Sequence, residues 1–271
     1  MKQSIYKELN DPDWLRQKYV VEQKSSVYIY KMLQCKSQNS VRQALIRHGF
    51  HVRNQREAQK ITSEDDYFVL DHELIEGSLL GDGYLGISNK KSKISCPFYT
   101  QKSKDLDFIK LMAQSIFVKD GHKRIAFEDA ICPWTGVERR YYIVRSLSQD
   151  CLRPYFDRWY PATNNYVKLV PQDLCLTPRV LLFWFLGDGF TWQRRKESKK
   201  KQALARFCTE GFTKVDQEFL RSLMKTIGLS TRLTNEKHGT GHRVEVQQGS
   251  YSKLMELLGP CPIESMQHKW K

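Results

Sequence analysis

Two apolar runs of helical length in this chain stop at the same tripeptide. One is LIEGSLLGDG from Leu74 to Gly83, the other LLFWFLGDG from Leu181 to Gly189. A helix that ends at Gly-Asp-Gly sets a carboxylate at its C-terminal end, where the macrodipole disfavours negative charge unless a cation is near. The two acids, Asp82 and Asp188, are one small domain's length apart in sequence. Two such runs at that spacing predict two related halves, each offering one carboxylate to a metal.

The agreement continues downstream. FYTQKSKDLDFIKLMAQSIF (Phe98 to Phe117) and FCTEGFTKVDQEFLRSLMKTIG (Phe207 to Gly228) both lead from aromatic-X-Thr-Gln/Glu into an amphipathic helix. With these residues the chain resembles the LAGLIDADG homing endonucleases in their single-chain, two-repeat form, over roughly residues 67 to 271. The eighth letter of that nine-letter motif, the metal-binding acid, falls on Asp82 and Asp188. The third letter is Gly77 in the first copy and Phe183 in the second, and the sixth is Leu80 and Leu186. The resemblance implies an α/β (α+β) fold, with two tandem αββαββα repeats forming a pseudo-two-fold, DNA-binding saddle.

Hydrophobic periodicity places the elements. In the first repeat (67–164) it predicts helices near 68–81, 104–118 and 148–159, with strands near 84–89, 94–101, 123–129 and 138–146. In the second (165–271) it predicts helices near 177–187, 213–227 and 250–258, with strands near 190–196, 203–210, 230–236 and 241–248. Residues 1–66 form a separate extension. Three helical patterns within 12–56, with Gly49 as a C-terminal cap, resemble a helix-turn-helix whose recognition helix is Ser37 to His48. Its exposed face would offer Gln38, Asn39, Arg42, Gln43 and Arg47 to DNA. A plain helical bundle is the alternative, and the polar stretch 57–66 reads as a linker.

Charge supports a polyanionic partner: 44 Lys+Arg against 30 Asp+Glu give a formal +14. Basic clusters follow each motif, Lys90, Lys91 and Lys93 in the first copy and Arg194, Arg195, Lys196, Lys199, Lys200 and Lys201 in the second. Seven cysteines without a CxxC fit no zinc spacing and read as reduced thiols. No apolar run reaches the roughly 20 residues of a membrane span. The chain is expected to be soluble and intracellular, in a bacterial or phage cytoplasm or an organelle, with no membrane partner.

If the motif helices pack side by side, Gly77, Ser78, Gly81 and Gly187 permit the close approach. Two adjacent carboxylates then persist through divalent cations, held by Asp82 and Asp188 with Gly81 and Gly187 beside them. Oxygen donors and a phosphate substrate favour Mg²⁺, with Mn²⁺ or Ca²⁺ as substitutes. The resemblance adds Gln101 and Glu210 as polar residues that hold active-site water. It also adds Lys168 and Lys269 as basic residues reaching back to the scissile phosphate. Strands would read DNA from one face. Candidates are Tyr84, Ser88, Lys90, Lys93, Ser95, Arg124, Arg140 and Tyr142 in the first repeat. In the second they are Thr191, Gln193, Arg195, Arg206, Arg232, Thr234, Arg243, Glu245 and Gln247.

The function implied is a metal-dependent, site-specific double-strand DNA endonuclease. It would leave short 3′ overhangs in a long asymmetric target and act as a monomer that is its own pseudo-dimer. A non-cleaving DNA-binding regulator and a maturase that binds intron RNA are the alternatives on the same scaffold. Retention of both acids favours cleavage.

Overall fold

In the computed structural model the described residues are 6–54, 57–58, 61, 69–92, 95–117, 125–131, 136–195, 201–235 and 241–270; of 193–195 and 201–203 only the backbone is described. The chain divides into two compact units, Met1–Asp65 with Ser92–Ser95, and Asp66–Lys91 with Cys96–Lys271.

The smaller unit is helical. Helix α1 (Pro12–Leu15) starts where the Asp11 carboxylate accepts from the backbone N–H groups of Asp13 and Trp14, and it runs on as a π-helical stretch, Arg16–Val21. Helix α2 (Ser26–Met32) is capped by Ser25, and α3 (Gln38–Arg47) ends at Gly49, whose φ of 76° suits glycine. Leu9, Leu15, Tyr19, Ile29, Val41 and Leu45 close a core of their own. The stretch 57–66 lies almost wholly outside the described residues.

The larger unit repeats one plan. Helix α4 (His72–Leu80) leads to β1 (Tyr84–Gly86), β2 (Phe98–Ser103), α5 (Leu106–Ile116), β3 (Ile125–Ile131), β4 (Glu138–Arg145) and α6 (Arg153–Trp159). The second round is α7 (Pro178–Asp188), β5 (Gly189–Arg195), β6 (Lys201–Phe207), α8 (Lys214–Thr226), β7 (Thr231–Asn235), β8 (His242–Val246) and α9 (Tyr251–Leu258). Each sheet is antiparallel, in order β1-β2-β4-β3 and β5-β6-β8-β7. Helix starts follow side-chain caps: Asp71 for α4, Asp105 for α5, Thr177 for α7, and a Thr213–Asp216 capping box for α8.

The first motif helix starts at His72 rather than 68 and β1 stops at Gly86 rather than 89, and two further elements depart from the periodicity. The strand expected from 94 begins only at Phe98, since Pro97 has no N–H for a ladder. The helix expected from 148 opens as a 3₁₀ turn, Asp150–Leu152, before α6, where Pro154 suits a helix's first turn.

Helices α4 and α7 pack against one another and are buried on nearly every side, as all-round apolar helices must be. A Cβ on Gly77 would collide with the Val180 carbonyl and stand 2.8 Å from Phe183 Cβ. Gly77 and Phe183 hold the same motif position, so one repeat supplies the hole and the other fills it. The shared core adds fully buried Trp184, Phe185 and Phe207 on one side and Tyr99, Phe108 and Phe156 on the other. Each such ring contributes on the order of 2–3 kcal/mol by leaving water.

Candidate active site

The close packing continues to the ends of the pair. A Cβ on Gly81 would lie 3.5 Å from Asp188 Cγ, and one on Gly187 would lie 3.7 Å from the Asp82 backbone nitrogen. The two Gly-Asp steps therefore face each other, and both carboxylates belong to one site.

Each helix end also receives a lysine from far along the chain. Lys168 Nζ donates to Gly81 O at 3.0 Å and Gly83 O at 2.9 Å, bracketing Asp82. Lys269 Nζ donates to Leu186 O at 2.7 Å and Gly187 O at 3.1 Å, just ahead of Asp188. Cations at these carbonyls answer the negative end of each helix dipole. Gly81 and Gly187, expected beside the metal, thus already share one carbonyl lone pair with lysine and keep the other.

The electrostatics follow from crowding. Burial raises the Asp82 carboxyl above its ordinary range, against the pull of Lys168 and Lys269, even though its edge remains open to solvent. Asp188 is pushed up to about 7, first by burial, then by the Asp82 charge, with Glu210 adding to it. Burial lowers Lys168 to about 8 and lowers Lys269, while the two aspartates oppose both shifts. Two carboxylates that resist ionisation together form a donor set stabilised by an added positive charge.

That set fits a hard cation with few protein ligands. No cluster of three or more His, Cys, Asp or Glu able to hold a metal exists among the described residues. Two carboxylate donors with adjacent carbonyls suit Mg²⁺, which keeps several waters and takes substrate phosphate oxygens.

Gln101 is 1% exposed on the core face of β2, and its Oε1 accepts from Tyr99 Oη at 3.1 Å. Glu210 lies beyond the end of β6, ion-paired with Arg243, and Gly241 leaves it room. The expected equivalence of these two residues does not follow the sheets. Tyr84 pairs with Thr100 and Phe190 with Arg206, so the register sets Gln101 level with Phe207. The shared aromatic-X-Thr string had suggested otherwise.

Register also corrects the outward face. Tyr84, Thr100 and Arg145 stand in one row, as do Phe190, Arg206, Glu245 and Arg232. Tyr84, Arg232, Arg206 and Arg243 are on the expected side. Arg140 and Tyr142 are not: they share the alternation of buried Val144, and Arg140 is forked onto Asp129 across the strand pair. In β5 the row-sharing residues are Phe190 and Trp192, which reverses the parity expected for Thr191, Gln193 and Arg195; the side chains of the last two lie outside the described set. Ser88, Lys90 and Gln247 are exposed, whereas Lys93 and Arg124 fall outside the described residues.

On α3, Asn39, Arg42 and Gln43 are exposed, but two expected readers are engaged internally. Arg47 donates to Leu9 O and Asn10 Oδ1, and Gln38 Nε2 donates to Ser26 Oγ at 2.9 Å. Among the described residues no helix is long and apolar enough to cross a membrane.

The sequence profile of the LAGLIDADG DNA endonuclease family matches residues 72–254. A probable intron-encoded endonuclease of Wickerhamomyces canadensis is 26% identical over 210 residues, 74% of this chain and 83% of the relative. An uncharacterized protein of Methanocaldococcus jannaschii is 28% identical over 236 residues, 82% of this chain and 81% of its own. Among solved structures, the homing endonuclease I-WcaI bound to its DNA recognition sequence shares the fold, with a TM-score of 0.62 at 19% identity over 82% of this chain and 95% of that one.

Proposed function

The chain belongs to the LAGLIDADG DNA endonuclease family, and on that premise we propose that it cuts both strands of a long, asymmetric DNA target with a divalent cation. The observation that carries the reading is the joint placement of Asp82, Asp188, Lys168 and Lys269 at the ends of one helix pair. Asp82 and Asp188 would hold the cation, which would supply a Lewis acid to activate water and to offset the negative charge that builds on the phosphate and the leaving 3′ oxygen.

The residues do the rest by position. Asp82 and Asp188 each serve one strand, and their shared site supports cuts that are staggered. Lys168 and Lys269, held at the helix ends, offer ammonium groups to the approaching phosphodiester. With its pKa near 8, Lys168 is still largely protonated at neutral pH. The basic surface draws the duplex in, and sequence is read from the outward rows of the two sheets. Asn39, Arg42 and Gln43 of the N-terminal unit offer DNA a separate set of exposed polar and basic side chains.

The test is cleavage of a randomised duplex library with Mg²⁺, sequencing the ends, beside the Asp82→Asn protein. Cut ends that share a long asymmetric site and vanish with the variant are expected. Enrichment by binding without any cut would turn the reading toward a regulator, and retention of intron RNA without cutting toward a maturase.

A further inference from the structure

Glu245 is out of place on its sheet. It alternates with buried Val244 and Val246 and so points to the opposite, outward side, yet it is only 2% exposed. What covers it is a pair of arginines, one from each flanking strand. Arg206 of β6 donates Nε to Glu245 Oε2 at 3.2 Å, with Nη2 on the same oxygen. Arg232 of β7 donates Nε to Oε1 at 2.8 Å, again with Nη2. Each carboxylate oxygen thus holds the Nε/Nη2 edge of one guanidinium. Among the described residues the Nη1 edge of each is left uncommitted. Arg206 also lies 4.3 Å from the Trp192 ring centroid, a cation–π contact that fixes its plane.

A face meant only to attract phosphate gains nothing from a buried carboxylate, which opposes a polyanion and is costly to desolvate. The acid makes sense as a brace. It fixes two long side chains before any ligand arrives, so their ordering is not charged against binding. Arg232, with 54% of its side chain exposed, is the guanidinium left open to a partner.

Among the described residues the corresponding row of the first sheet has no such brace; the position that would face Arg145 from β3, residue 124, lies outside them. There Tyr84, Thr100 and Arg145 stand where Phe190, Arg206 and Glu245 stand in the second, and the buried Thr100 hydroxyl has no hydrogen-bond partner among the described residues.

We propose that the Arg206–Glu245–Arg232 triad is a specificity element: Arg232 presents its free edge to O6 and N7 of one guanine in the half of the target under the second repeat, and Glu245 is its positioning residue. A planar fork against those two acceptors is the commonest bidentate base contact. This assignment rests on the reading that the chain is a DNA-recognising nuclease and deepens it.

The experiment compares duplexes retained from a randomised pool by wild type, Arg232→Lys, Arg232→Ala and Glu245→Gln. Arg232→Lys keeps the charge at an exposed site but loses the fork. Guanine preference at one position of one half-site is expected to fall about ten- to hundredfold in Arg232→Lys. Glu245→Gln is expected to lose it at the same position, with the other half-site unchanged; a thermal unfolding midpoint confirms that this variant is folded. A motif that survives intact in Arg232→Lys overturns the assignment while leaving the nuclease reading in place. A uniform loss across all sequences in Arg232→Ala, with a shallower salt dependence, overturns it by making Arg232 a phosphate contact. A wild type that enriches no sequence overturns both.

Discussion

At Asp82 and at Asp188 the chain does the same thing twice: an acid between two glycines, a helix end facing its twin, and a distant lysine on the last carbonyls. A few residues away the likeness ends. The outward row of the first sheet carries Thr100 and Arg145, and that of the second carries a carboxylate clamped between two arginines. Even near the acids the surroundings differ, since Glu210 with Arg243 stands close to Asp188 while Gln101 is neutral and turned into the core. On the function proposed above, the difference separates two tasks. The phosphodiester bonds of two strands are chemically the same, so one design serves both. The bases under the two halves need not be the same, and there the halves are free to diverge.

The comparison can be broken most sharply at the acids. Asp82→Asn and Asp188→Asn should each lower double-strand cutting by roughly 10³-fold, the several kcal/mol a metal site supplies, while binding is kept. Retained cutting in either variant, measured on the selected duplex, would sink the site. Lys168→Met and Lys269→Met should each cost about 10²-fold in single-turnover cleavage. A loss confined to one of them would show that the helix ends are not functional copies.

The pH dependence sharpens the same point. Asp188 ionises only near pH 7, so cation affinity should rise about tenfold per pH unit up to 7 and level off above it. A titration of Mn²⁺ binding that is flat from pH 5 to 8 would contradict this. The sign for stability is opposite. A carboxyl whose folded pKa is raised favours the fold at low pH and loses that contribution as pH rises from about 4 to 7. Metal-free Asp188→Asn should therefore melt a few degrees higher than wild type at pH 8. The smallest effect belongs to the N-terminal unit: deleting residues 1–66 should shorten the footprint and weaken binding, and an unchanged footprint would leave that unit a packing role.

The helix pair was legible because two signals coincide at each copy, an apolar run and a Gly-Asp-Gly stop; the caps that start the helices, Asp71 and Thr177, went unread. Lys168 and Lys269 were reached only through the family resemblance, since they arrive from 86 and 81 residues beyond their acids, and nothing local marks them. Strand parity was the weak point, for a physical reason. β3 is exposed along most of its length, and β4 carries charged or aromatic residues on both faces, so no polar and apolar alternation tells inside from outside. The inward turn of Arg47 was hidden for a similar reason: its partner carbonyl, Leu9 O, lies 38 residues earlier.

The contact of Gly77 with Phe183 has a consequence for inheritance. In a dimer of identical subunits, one motif position meets itself across the two-fold axis and must suit its own rotated copy. Here that position is empty in one repeat and bulky in the other. Two copies of the first repeat would leave a void at the seam, and two copies of the second would press phenylalanine against phenylalanine. The two sides of the seam are therefore complementary rather than identical, and a larger residue at Gly77 must be answered by a smaller one opposite.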